Sequence, residues 1–178
     1  AVDALHLGGD QHLGTVAWYG VDEFRDGTVA FTSPAIGNSF PRRWMPAVRG
    51  INPAPGAPRY TGDFRDGFNN RVTVLAAANP RAGTGVPAAL HDRSAGYGIV
   101  RFDPTSDSVV LEAWPRGADP ADPTAQFPGW PVRLTAAARP ADLGPSEALP
   151  DDAVGEIETG SLLRPDETVV LVGNAIAE

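Results

Sequence analysis

Short runs in which apolar and polar residues alternate, broken by glycine and proline, set the rhythm of this chain. Alternation with a period of two marks a half-buried strand, because successive side chains on a strand point to opposite faces. Residues 5–8 read as one such strand, buried on at least one face and ending at Gly8-Gly9. Residues 15–21 and 28–32 flank Arg25-Asp26-Gly27, and Asp-Gly between apolar runs predicts a hairpin. Residues 71–77 form another β-rich run. Residues 97–102 and 109–114 predict a second hairpin, with Ile99, Arg101 and Asp103 on one face and Val100 and Phe102 on the other. Residues 132–137 close the series. Phe-Arg-Asp-Gly occurs at 24–27 and again at 64–67 with unlike flanks, which reads as repeated turn chemistry, not a structural repeat.

Between these runs lie long connections. Residues 33–62 hold prolines at 34, 41, 46, 53, 55 and 58, and Phe40, Trp44 and Met45 are candidates to anchor that stretch. A loop of this length in a compact domain is usually functional or packed by its own side chains. Residues 79–95 and 115–131 read as further loops. The chain carries 20 glycines and 18 prolines, which helix interiors tolerate badly, so long helices are expected to be scarce. Three prolines and four acids over 139–153 suggest a linker or exposed loop, followed by a small β unit at 154–178.

Composition narrows the classes. With 178 residues and 42% hydrophobic content the chain is long enough for one domain with a real core. No apolar run reaches the roughly 20 residues that cross a bilayer. Residues 1–15 lack the charged and apolar regions of a signal peptide, which in a mature or truncated chain leaves export open. The net charge is −8, every basic side chain is arginine, and the only compact basic cluster is Arg42-Arg43. No nucleic-acid-binding patch is expected from such a balance. The absence of cysteine excludes disulfides, thiolate metal sites and cysteine nucleophiles.

The chemistry concentrates at Gly8-Gly9-Asp10-Gln11-His12, where a carboxylate and an imidazole stand two residues apart at a strand end. Asp offers a hard oxygen and His a borderline nitrogen, a mixture suited to zinc, iron or manganese. The competing reading is an ordinary Gly-Asp turn with a surface histidine. His6 reads as a hydrogen-bonded strand residue. His91-Asp92-Arg93 sits in a loop and reads as solvated. Arg42 and Arg43, beside Trp44, suit phosphate oxygens bidentately, or else pin the proline-rich loop to nearby acceptors. Asn38 reads as a turn residue whose amide is able to face a site. No phosphate-binding glycine loop, nucleophile elbow or dinucleotide fingerprint is present.

Gly9-Asp10-Gln11-His12-Leu13, Tyr19-Gly20, Ser33-Pro34-Ala35, Pro41-Arg42-Arg43-Trp44, the run from Pro55 to Phe64, and Gly96-Tyr97-Gly98-Ile99-Val100 occur in an order that resembles one known family. The chain resembles the C-terminal part of the alkaline phosphatase D (PhoD-like) metallophosphatases, within the calcineurin-like phosphoesterases. The likeness covers about residues 1–137, and Gly155-Glu156 with Leu163-Arg164-Pro165 resembles the family's C-terminal β tail.

The resemblance implies an α+β, β-rich fold: the C-terminal portion of a two-sheet β-sandwich flanked by helices, with many long ordered loops. It implies residues 1–138 as part of the phosphatase domain, 139–153 as linker and 154–178 as the tail. It further implies hydrolysis of phosphate mono- or diesters at a pair of metal ions (iron, zinc, manganese or calcium) and export to the periplasm or the extracellular space. His12 then acts as a direct ligand and Asp10 as a ligand or its orienting neighbour. Arg43, Arg42 and Asn38 are candidate substrate contacts. The family's earlier ligand blocks and its general acid would lie before Ala1, in an N-terminal half of the same domain, so this chain alone is expected to be inactive. Two other readings stay open. The four tryptophans suggest a carbohydrate-binding β module. A structural fragment without activity would instead show exposed strand edges and apolar faces.

Overall fold

The structure is a computed structural model that describes residues 4–38, 40, 42–80, 94–103, 105–106, 108–135 and 143. Eight strands fall in chain order: β1 (Leu5–Gln11), β2 (Thr15–Tyr19), β3 (Val29–Pro34), β4 (Gly62–Arg65), β5 (Arg71–Ala77), β6 (Gly96–Asp103), β7 (Ser108–Pro115) and β8 (Val132–Thr135). They form two sheets. The first has five strands in the order β1-β3-β2-β5-β4, and the second has three in the order β6-β7-β8. Only the β1–β3 pair is parallel. Both predicted hairpins are present, with Val16 opposite Phe31 in the first and Val100 opposite Leu111 in the second.

The protein is β-rich and built on two sheets. No α-helix occurs among the described residues; a single 3₁₀ turn, Pro123–Ala125, is capped by Asp122. Proline and glycine punctuation keeps uninterrupted stretches short, and the longest among the described residues, 68–79, carries the β-branched run of β5. The boundary at 138, the 154–178 unit and His91-Asp92-Arg93 lie outside the described residues, as does all of 139–153 but residue 143.

One core lies between the sheets. Val16, Trp18, Val29, Phe31 and Ala76 from the first meet Leu111, Ala113 and Leu134 from the second, and Phe127 and Trp130 join them from the 115–131 connection. Phe31 and Trp130 pack edge to face with centroids 5.8 Å apart. The close approach needs Gly98, since a Cβ there would lie 2.5 Å from the Phe31 ring. A second core covers the opposite face of the first sheet, where Trp44 and Tyr60 pack on Phe64, Val74, Ala77 and Leu13.

Trp44 is therefore the anchor of the long proline-rich connection. Its backbone N–H donates to Asn79 Oδ1 at 2.7 Å, its indole N–H donates to the Tyr60 carbonyl at 2.7 Å, and its ring meets Phe64 edge-on at 5.0 Å. The other two expected anchors do not act as such: Phe40 and Met45 are exposed. Gly62 lets the connection re-enter the sheet, with φ at +112° and no room for a Cβ against the Ile51 carbonyl.

The two Phe-Arg-Asp-Gly segments meet at one end of the first sheet. Each aspartate closes a turn by accepting backbone N–H groups: Asp26 from residues 21–23, Asp66 from Phe68 and Asn70. The Arg65 guanidinium stands 6.0 Å over the Phe24 ring. Arg25 is buried and pairs with Asp63 at 3.0 Å; Thr73 and Asn52 also donate to the Asp63 carboxylate. Turn chemistry is what these repeats share.

Candidate functional site

β1 differs from the strand expected at its position. It does not end at Gly8-Gly9 but continues to Gln11, and residues 6–10 are exposed rather than buried on one face. The reason lies in the packing: β1 is an edge strand, paired with β3 alone among the described residues, and the second sheet packs on β3 rather than on β1. Its parallel register holds from Leu5↔Val29 to Gly8↔Thr32, breaks, and resumes at Gln11↔Pro34. Asp10 occupies the break with φ at 57°, a left-handed conformation that aspartate tolerates better than most side chains. Such irregularities re-aim side chains at sheet edges.

His12 follows directly and is held at both its ring and its backbone. Nδ1 lies 2.7 Å from the Phe40 carbonyl oxygen, and the ring stacks on the Phe40 ring with centroids 6.2 Å apart and planes 7° from parallel. A carbonyl oxygen only accepts, so Nδ1 carries the proton and, in the neutral imidazole, Nε2 keeps its lone pair. This arrangement is common for metal-ligating histidines, which usually donate the other ring N–H to a carbonyl or carboxylate. The His12 carbonyl accepts from Asn38 Nδ2 at 2.9 Å and from the Arg42 backbone N–H at 3.3 Å.

Asp10 and His12 line one wall of an open cleft of about 510 Å³. The end of β3 and the turn that leaves it, residues 33–37, form the middle, and Gly96, Tyr97 and Gly98 at the start of β6 form the far wall. The cleft thus straddles the two sheets at the ends of β1 and β3. Tyr97 turns its hydroxyl away to donate to the Ala118 carbonyl at 2.9 Å, and Ser33 Oγ donates to the Pro34 carbonyl at 3.2 Å.

Of the residues singled out from sequence, the structure brings Asp10 and His12 together. Asn38 is fully buried behind His12 rather than facing the cleft. Arg42 and Arg43 are exposed and outside the cleft lining, and Arg42 touches the site through its backbone. His6 is exposed on β1, in register with Ala30. All four tryptophans are buried, which leaves no tryptophan platform for a sugar ring and removes the observation behind the carbohydrate reading. No cluster of three or more His, Cys, Asp or Glu side chains occurs among the described residues. Ile36 and Tyr97, which line the cleft, and Phe40, which holds His12 from outside the lining, had no local signal as site residues, because only the turn after β3 and the crossover to the second sheet bring them there.

Fold and site together define a two-sheet β protein with a cleft that offers a carboxylate and an oriented imidazole. No family model, curated protein or solved structure matches the chain. No helix among the described residues is long and apolar enough to cross a membrane.

Proposed function

We propose that this chain carries the last metal-ligand block of a metal-dependent phosphoesterase that hydrolyses phosphate mono- or diesters. The observation behind the proposal is that Asp10 and His12 line one cleft while the Phe40 carbonyl fixes the imidazole with Nε2 left to ligate. The donor set fits: one carboxylate oxygen and one imidazole nitrogen suit iron, zinc or manganese, and the carboxylate also suits calcium. Two donors do not complete a binuclear centre, so further ligands come from outside the described residues. The flanking helices of a full two-sheet phosphatase domain belong to the same proposal.

In this reading His12 ligates through Nε2 and Asp10 ligates or orients through its carboxylate. Phe40 sets the imidazole tautomer and Asn38 fixes the main chain beneath it. The chemistry supplied by a bound metal pair is polarisation of phosphoryl oxygens and acidification of a water. Arg42 and Arg43 remain candidates for the substrate's remote negative charge, from outside the cleft.

The test uses the whole gene product. His12→Ala should lower its metal content and cut hydrolysis of 4-nitrophenyl phosphate and bis(4-nitrophenyl) phosphate by at least about a hundredfold. Phe40→Leu keeps the carbonyl and loses only the stacked ring, so it should cost far less. Unchanged metal content and activity in His12→Ala would remove this histidine from the site and the proposal with it.

A further inference from the structure

The cleft is chemically lopsided. Its charged and imidazole groups, Asp10 and His12, come from the β1 end alone. No arginine lines it, and the chain contains no lysine, so no cationic side chain among the described residues waits there for a second anionic group. The remaining polar side chains have already spent their one proton: the Tyr97 hydroxyl donates to Ala118 and the Ser33 hydroxyl donates to Pro34, which leaves both as acceptors only. What the middle and far wall together offer is the half-buried Tyr97 ring, the exposed Ile36 side chain (61% accessible), an edge of the buried Pro34, and the backbone of Gly96 and Gly98.

We infer that this wall binds an apolar, planar alcohol group, and that the substrate class is a phosphate ester of an aryl or arylalkyl alcohol rather than of a polyol. A flat ring gains area against Tyr97 and Ile36 without needing a hydrogen-bond partner. The hydroxyls of a polyol would lose water against a wall whose two side-chain hydroxyls have no proton left to donate. Gly37 and Gly9 leave the cleft open at its mouth, since a Cβ at either position meets nothing within 4 Å. The words "phosphate ester" rest on the proposed function; the preference of the wall does not.

Two measurements keep the two claims apart. On this chain, benzyl alcohol and glycerol are titrated separately while the amide signals of Ile36, Gly96 and Gly98 are followed by NMR. Benzyl alcohol should move all three saturably, and glycerol should not. Ile36→Ala, an exposed and conservative change, should weaken benzyl alcohol binding several-fold. Tyr97→Ala should weaken it about tenfold, and Tyr97→Phe, which keeps the ring, should bind as the native chain does. Equal responses to both alcohols, or indifference to Ile36→Ala and Tyr97→Ala, would overturn the inference. In the whole gene product, Tyr97→Ala should lower kcat/KM for phenyl phosphate about tenfold relative to glycerol 1-phosphate. Binding of benzyl alcohol at these residues by a whole gene product that hydrolyses neither ester sustains the wall's preference and defeats the phosphoesterase reading.

Discussion

The Asn38 side chain donates to the main-chain carbonyl of His12 across 2.9 Å, from a position with no solvent exposure. An amide that reads as a turn residue near a substrate is a strut beneath an imidazole. The carbonyl it holds belongs to the residue whose ring Phe40 holds from the other side. Backbone and ring of His12 are thus fixed independently, which is the preorganisation a ligand needs.

Replacing that strut should be felt in stability before chemistry. Asn38→Ala removes a buried hydrogen bond, although the Arg42 N–H still reaches the same carbonyl. A loss of about 1–2 kcal/mol is expected in urea unfolding. Asn38→Asp should cost more, because it turns an acceptor toward an acceptor. If His12 ligates, the metal content of the whole gene product should also fall in Asn38→Ala at temperatures where the fold is intact.

The ion pair of Arg25 with Asp63 is the second point of high cost. Both side chains are almost fully buried, and Asp63 also accepts from Thr73 at 2.6 Å and Asn52 at 3.2 Å. Asp63→Ala leaves a buried guanidinium without its counter-charge, with the Asn52 carbonyl still accepting from it at 2.7 Å, and should destabilise by about 3–5 kcal/mol. The double change Arg25→Met with Asp63→Leu should recover much of that loss. Denaturant midpoints of the two variants decide the matter: a double variant no better than the single one would show that the pair does more than cancel its own desolvation.

Acid should loosen the connection between β2 and β3 by a defined route. Burial nudges the Asp26 carboxyl upward, but the N–H groups of Val21, Glu23 and Asp22 outweigh it and hold the group below its ordinary 3.8. A depressed folded pKa means a contribution that is present above the unfolded value and lost as pH falls through the folded one. The stability difference between the native chain and Asp26→Asn should therefore be constant down to about pH 5 and shrink below it. Urea midpoints of both proteins across that range measure it; a difference that grows on acidification contradicts the assignment.

The exposed edge of the first sheet predicts association. β1 pairs with β3 alone among the described residues, and Leu7 on it is 56% accessible. Unpaired strand edges recruit further strands, and a lysine there blunts them. This 178-residue chain should self-associate as its concentration rises, and Leu7→Lys should weaken that association about tenfold. Sedimentation velocity gives the answer, and a native chain that stays monomeric at all concentrations would show the edge to be protected.

Much of the β architecture was legible locally. Residues 71–77 read as a strand and are β5, and the alternation over 97–102 put Val100 and Phe102 on one face of β6, where Val100 packs on the core and Phe102 stays exposed. The Asp-Gly signal at 26–27 marked the β2–β3 connection, because an aspartate capping a turn needs only its near neighbours. Residues 5–8 went the other way. Their apolar alternation implied a covered face, yet β1 lies exposed at the sheet edge because the second sheet packs on β3, and what covers a strand is a property of the whole fold and not of the strand. Phe40 and Met45 looked as suited to anchoring as Trp44, but only Trp44 finds the Asn79 and Tyr60 partners that make burial favourable.

The site divides along the same line. By itself the sequence determined the proximity of Asp10 to His12, the want of cysteine and lysine, and the strand-forming segments, all of which depend on residues near in the chain or on counts. Tertiary structure decided that the Phe40 carbonyl selects the tautomer of His12, that Asn38 lies beneath it, that four tryptophans are consumed by the cores, and that Tyr97 closes the cleft from another sheet. Those facts join residues far apart in the chain, such as Asp10 with Tyr97 in the cleft and Trp18 with Trp130 in the core. Which distant groups meet is set by the joint packing of both sheets, and no local pattern of apolar and polar residues encodes that outcome.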